Sequence, residues 1–346
     1  MKAASVWLAC LLLLAGCSRS EGPLEGLAES DESVTVRLVL NMPSATADNT
    51  GADESVGNES WISTQDVQLL VYHADGTFAD KASMSRVTPI EAAANRYLLT
   101  GTLTRLRKAD VESGAQYRIV VLANMLGTLH VDFPYDGVPD READLYNDWL
   151  TFDFPIDNSI TREILNKDPN GRIPMWGKRT GTLKDGETIK VDMLRALAKV
   201  KVSLSAALVS SNHTLNGVET QQGHIHGSMV PAGAAEMADT PLSKEDDRIN
   251  VEGDYHSTVP FVESPEGSGV FYTYLPEQKK GGSHMRVTIN GDTYELYFGD
   301  YATLTKFPVV RNHYYEFTIT KVNSSGELHY SVCDWNEIKV DDIEFD

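Results

Sequence analysis

Apolar residues in this chain recur at every second position far more often than at every third or fourth, and that period fixes the structural class. Residues two apart share one face of a strand but fall on nearly opposite sides of a helix. Val34, Val36, Leu38 and Leu40 alternate with Thr35 and Arg37, and Val200, Val202 and Leu204 alternate with Lys199, Lys201 and Ser203. Met285-Val287-Ile289 and Tyr315-Phe317-Ile319 repeat the pattern. Segments 67–72, 97–104, 117–123 and 270–275 carry the β-branched and aromatic content of buried strands. Asn290-Gly291 between 285–290 and 293–298 predicts a tight hairpin, because both residues tolerate positive φ, and His73-Ala74-Asp75-Gly76 reads the same way. Helical spacing is confined to 104–113, 140–147 and 161–166. The expected class is all-β, two antiparallel sandwiches with few short helices.

The first seventeen residues follow another pattern. Lys2, the apolar run Val6–Leu14 and Leu-Ala-Gly-Cys at 14–17 form an export signal too short to span a bilayer. Those last four residues fill the lipobox of bacterial lipoproteins. Residues 1–16 are then a signal peptide, and Cys17 is the lipidation site, carrying diacylglycerol on sulfur and a palmitate-type acyl group on its new amino terminus. Each buried methylene contributes about 0.8 kcal/mol, so two or three acyl chains hold a protein on a membrane. Residues 17–33, rich in Gly, Pro, Ser and Glu, read as a flexible spacer. With Cys10 in the leader and Cys17 acylated, Cys333 is left without an intramolecular disulfide partner. Stability must come from core burial, and two domains of about 150 residues bury enough surface for it. The stretch 168–187 is dense in Gly, Pro, Asn and Asp and precedes a last strand at 188–193, which sets the domains at 34–193 and 194–346.

The net charge is −20, and loss of a leader holding Lys2 and no acidic residue makes it more negative. Such a surface repels phosphate backbones, so nucleic acid is not an expected ligand. Other chemistry is thin. His224-x-His226 places two imidazoles on one strand face, yet without a fixed third ligand it reads as a solvent-facing pair, and no metal is expected. Asp168-Pro169-Asn170-Gly171 lacks the closing carboxylate of a calcium loop and reads as a turn. Cys333 reads as a buried inert thiol. There is no Gly-x-Ser-x-Gly elbow, and neither catalysis nor a cofactor is expected. Trp61, Trp149, Trp176 and Tyr146 are the aromatics available for stacking on sugars, so a surface glycan-binding lipoprotein is the alternative reading.

The lipobox, VTVRLVL at 34–40, YRIVVLAN at 117–124, IPMWG at 173–177, LRALAKVKV at 194–202, FYTYLPE at 271–277, RNHYYEFTI at 311–319 and LHYSVCDW at 328–335 together resemble the fimbrillin family of Bacteroidales, the type V pilus subunits. The resemblance implies two tandem transthyretin-like antiparallel β-sandwich domains and anchoring in the outer membrane through the lipid. It also implies a place on the cell surface in a fimbrium, other fimbrial subunits as partners, and adhesion to a host or bacterial ligand that it does not specify. In that family's stalk subunits an arginine-specific protease removes the first strand, and the tail of a neighbour fills the groove. Carried over, Val34, Val36, Leu38 and Leu40 are the groove-filling strand, Arg37 the candidate processing site, and 336–346 the candidate donor. Within that donor Ile338 and Val340 share one parity, and Ile343 and Phe345 the other. The alternative is that 336–345 is simply the last strand of its own domain. Between Arg37 and Lys81 there is no Arg or Lys, and Arg37 itself falls mid-strand. That departure favours a base or accessory subunit over a stalk subunit, which would need opening at Arg37 or another protease acting in 41–60.

Overall fold

Alternation at period two becomes paired strands at 34–40, 200–204, 285–289 and 315–319. The structure, a computed structural model, describes residues 33–42, 59–90, 96–241, 249–251, 253–265, 269–300, 302–322 and 328–335. The earlier strands are β1 (Ser33–Asn41), β2 (Val67–His73), β3 (Phe78–Lys81), β4 (Ser83–Pro89), β5 (Arg96–Arg107), β6 (Gln116–Ala123), β7 (Thr151–Asp153), β8 (Met175–Thr182) and β9 (Thr188–Arg195). The later ones are β10 (Ala198–Leu204), β11 (Leu215–His224), β12 (His226–Ser228), β13 (His256–Pro260), β14 (Val262–Glu263), β15 (Val270–Leu275), β16 (His284–Ile289), β17 (Asp292–Tyr297), β18 (Gly299–Asp300), β19 (Thr305–Lys306), β20 (Tyr314–Val322) and β21 (Leu328–Trp335). Short helices α1 (Lys108–Glu112), α2 (Glu142–Asp148), α3 (Ser159–Leu165) and α4 (Ala206–Ser210) lie between strands. Among the described residues no helix is long and apolar enough to cross a membrane.

The predicted turns form as their residues dictate. Asn290 and Gly291 take φ of 53° and 91° between β16 and β17, and Gly76 takes 83° between β2 and β3. The predicted helix over 104–113 shrinks to α1, because residues 104–107 continue β5. The reason is Asp80: its carboxylate accepts the Arg105 and Leu106 amides at 2.8 and 3.1 Å, holding that end of β5 extended.

Eight strands form one sheet in the order β3-β2-β6-β8-β9-β1-β5-β4. Its two end strands are separated in the chain by Ala82 alone, so a single bent segment serves both edges and the sheet closes on itself in two layers. On the other side β9 makes a similar crossing. Residues 188–192 pair with β1, whereas Met193 and Leu194 pair with β8. The inward faces bury Val34, Val36, Leu38, Leu40, Leu69, Ile119 and Val121. Strands β2 and β6 are buried on their outer faces as well. There Trp176, fully buried, packs edge-on against Tyr146 of α2.

From Ala198 onward a five-stranded sheet (β14-β15-β10-β20-β21) and a four-stranded sheet (β13-β11-β16-β17) share one core, in which Val200, Val202, Phe271, Phe317 and Ile319 meet Val218, Met285, Val287 and Leu296. The pairing around β10 repeats that around β1. Strand β1 runs parallel to β9 and antiparallel to β5; strand β10 runs parallel to β20 and antiparallel to β15.

Buried polar contacts lock the earlier strands to the later ones. β7 pairs with β12. Asn158, in left-handed conformation at the start of α3, donates through Nδ2 to Pro260 O (2.7 Å) and Thr273 Oγ1 (2.8 Å). Lys178 Nζ on β8 lies 2.6 Å from Glu142 Oε1 and donates to Ala234 O at 3.0 Å. Burial pushes the Lys178 ammonium below its usual value while Glu142 opposes that shift. Removing one partner of such a buried pair costs about 3–5 kcal/mol, and Glu142 thereby fixes the lysine whose bond to Ala234 crosses to the later part.

Candidate functional site

The candidate site is β1 and the slot that holds it. The sequence places alternating apolar residues at 34–40, and the structure sets all four, Val34, Val36, Leu38 and Leu40, at 2% exposure or less. Cross-strand rows carry the packing. Leu38 is flanked by Leu99 on β5 and Ile189 on β9; Leu40 is flanked by Tyr97 and Val191. Fully burying a Val or Leu side chain contributes about 1.5–3 kcal/mol, so the four together supply roughly 6–12 kcal/mol as an upper estimate. Net stability of a whole domain is about 5–15 kcal/mol. A slot emptied of β1 therefore needs another strand in its place.

Polar contacts fix the register of β1 at both ends. The Thr35 amide donates to Asp185 Oδ1 at 2.8 Å, and Thr35 O accepts from Gly186 N at 2.9 Å, so the turn between β8 and β9 grips the start of the strand. Lys108 Nζ stands 3.2 Å from Asp185 Oδ2. The Thr35 hydrogen bond, with help from Lys108 and Arg37, holds the Asp185 carboxyl below its usual value. At the far end Asn41 Nδ2 donates to Asp192 Oδ1 at 2.8 Å. Arg37 is exposed, but its backbone sits between Thr100 of β5 and Thr188 of β9. A protease needs an extended, unpaired segment, which residue 37 does not offer while β1 is in place.

Sequence reasoning missed how firmly the chain is held where it re-enters after β1. Glu59 is 3% exposed; its Oε1 accepts from Lys199 Nζ at 2.9 Å and from the Tyr274 hydroxyl at 2.5 Å. Burial and the Glu59 carboxylate together push the Tyr274 phenol well up. Arg195 donates from Nε to Glu59 O (2.9 Å) and from Nη2 to Ser60 Oγ (2.7 Å). Asn124 Nδ2 donates to Trp61 O at 2.8 Å. Residues 59–61 are thus clamped by β9, β10, β15 and the end of β6. An acidic residue within a polar stretch gives no warning of burial.

The other expectations divide. Asp168–Gly171 is a turn, with the Asn170 amide on Asp168 Oδ1 at 2.8 Å. The solvent-facing reading of His224 is corrected: it is buried at 2% exposure, because its strand turns inward at a bulge, and His226 lies on a separate strand, β12. The aromatics proposed for sugar stacking are mostly taken up by the interior. Trp176 and Tyr146 are buried, Trp149 packs against the core, and Trp61 is exposed with the Arg172 guanidinium 5.4 Å above its ring. Cys17, and the tail 336–346 with Ile338, Val340, Ile343 and Phe345, lie outside the described residues. Cys333 pairs through its backbone with Glu316 in β20.

No protein-family model matches the chain, and no curated protein matches it. Among solved structures the chain is similar to a C-terminally truncated form of the tip fimbrial protein Mfa3 from Porphyromonas gingivalis, at 16% identity and a TM-score of 0.49, over 87% of this chain and 100% of that one. It is also similar to a fimbrial assembly protein from Parabacteroides distasonis, at 14% identity and a TM-score of 0.48, over 87% of this chain and 95% of that one.

Two outcomes follow from the slot. Leu38→Ala should lower unfolding stability in urea by about 2–5 kcal/mol, whereas Arg37→Ala, one residue away on the outer face, should stay within about 0.5 kcal/mol. A carboxyl whose folded pKa is lowered stabilises at pH above its unfolded value and loses that contribution as pH falls through the folded value. Hydrogen exchange at the Thr35 amide should therefore speed up as pH drops below Asp185's ordinary 3.8, beyond the intrinsic trend. Asp185→Asn should abolish that extra acceleration.

Proposed function

We propose that this chain is a lipid-anchored structural subunit of a cell-surface fimbria. In this reading Cys17 ties it to the outer membrane, and residues 34–193 and 194–346 are two tandem transthyretin-like sandwiches. One observation carries the proposal: the first strand of the folded body is an interior strand, paired on both edges and filling the core with four apolar side chains. A strand in that position can be replaced only by another strand. Its departure exposes two rows of unpaired backbone and an apolar slot, which a strand from a neighbouring molecule completes by main-chain pairing and side-chain filling. The clamp on residues 59–61 supports the same reading, since it ties the chain that follows β1 to β9 and β10.

For this subunit the base or accessory role fits better than the stalk role. No Arg or Lys lies between Arg37 and Lys81, and Arg37 is paired on both sides. A subunit that keeps β1 presents no empty slot but still donates a tail. Residues 336–346 directly follow β21, which is the outermost strand of the five-stranded sheet. Their two apolar pairs, Ile338 with Val340 and Ile343 with Phe345, would fill alternate pockets of a partner's slot on either side of a kink at Asp341-Asp342. Partners are therefore other fimbrial subunits, and adhesion is a property of the assembled fibre.

Deleting 336–346 tests the donor role. The truncated protein should remain a folded monomer, and the multimer ladders it forms with co-expressed subunits on gels should disappear. Unchanged ladders would refute strand donation by this tail.

A further inference from the structure

His224 closes β11 and His256 opens β13, and the antiparallel register sets them directly opposite one another. Opposed residues in such a pair have Cβ atoms about 4.5–5.5 Å apart. Their rings stand 5.6 Å apart between centres, with planes at 67°. The backbone is shaped to produce this meeting. The register slips between Thr220 and Gly223, and Gln222 takes φ of 53°, a left-handed conformation costing a non-glycine residue of order 1 kcal/mol. A Cβ on Gly223 would come within 2.9 Å of Thr220 Cγ2, so glycine is required for the bulge to close. Bulges of this kind re-aim the next side chain.

Beyond the bulge, Gln278 holds the main chain of His224 at both polar groups. The His224 amide donates to Gln278 Oε1 at 2.7 Å, and Gln278 Nε2 donates to His224 O at 3.0 Å. With its backbone satisfied, the imidazole stands edge-on to the rings of Tyr255 and His256, 6.4 and 5.6 Å away between centres. The residue is 2% exposed, and neither Nδ1 nor Nε2 has a hydrogen-bond partner. One nitrogen of a neutral imidazole carries a proton and the other a lone pair; leaving a buried polar group unmet costs about 1–3 kcal/mol. A side chain held this rigidly and left unsatisfied is prepared for a ligand that the rest of the fold does not supply.

We propose that His224 and His256 together chelate one divalent transition-metal ion, of which zinc is the representative, at the end of the β11–β13 pair. Imidazole donors suit zinc, copper and nickel and not magnesium or calcium. His226 is engaged elsewhere, its Nδ1 2.9 Å from Asp153 Oδ1 and its ring 5.0 Å from that of Tyr255. Among the described residues no three metal-binding side chains converge on one point. The pair is thus a two-point chelate, and its remaining positions fall to water or to a donor from outside. His256 is exposed and β13 is the outer strand of its sheet, so those positions face outward. This site stands whether or not the tail exchanges strands.

Calorimetric titration of the full-length chain with zinc chloride in metal-free buffer tests it. One ion should bind per chain. Losing a partner behind a metal ligand already costs 10–100-fold in affinity, so losing a ligand itself, in His224→Ala or His256→Ala, should cost at least about tenfold. His130→Ala, an exposed histidine elsewhere, should bind as the unaltered chain does. If His224→Ala does not fold, His256→Ala decides, because its side chain is on the surface. Absence of saturable zinc binding, or unchanged affinity in His256→Ala, would overturn the proposal.

Discussion

Main-chain pairing on both edges of β1 is the constraint from which the architecture around it follows. A strand at the margin of a sheet can be lost with little change to the rest; a strand between β9 and β5 cannot, because each neighbour then becomes an edge with unpaired groups. The layer β4-β5-β1-β9 exists only while β1 or an equivalent strand occupies its middle. The burial of Val34, Val36, Leu38 and Leu40 matches the scale of a domain's whole net stability, so pairing and packing enforce the same requirement. The bent segment of β3 and β4 and the crossing of β9 then close the layers at their sides, which leaves the slot of β1 as the place where a foreign strand could enter without breaking a connection.

The second constraint lies where the earlier strands meet the later ones. There the Glu59 carboxylate is taken out of water and met by Lys199 and Tyr274, and Lys178, itself paired with Glu142, donates to Ala234 O. Such pairs add little net stability over apolar packing but make separation costly, since a parted member is a buried unpaired charge.

Much of the strand content was legible because alternation is a direct image of a sheet with one wet face. Val34–Leu40 and the run around Val200 and Val202 are strands where the pattern places them, and Asn290-Gly291 is the turn its positive φ values require. The helices were less legible. α4 is five residues long with one buried side chain, Leu208, too little for a period to emerge, and the end of β5 was misread because the residue that keeps it extended, Asp80, lies 25 positions away. The junction could not be read at all: Glu59 meets Tyr274 across 215 positions, and its neighbours in the sequence are those of a solvated loop. His224 was misread for the same reason, since its burial follows from a bulge at Gln222 that no residue pattern announces.

The central claim is that β1 stays in its slot in the working protein while the lipid holds the chain to the membrane. Determining the N-terminus of protein released from the bacterial surface tests this most directly. The account predicts a chain beginning at an acylated Cys17 with residues 34–40 retained; a chain beginning within 38–60 would contradict it.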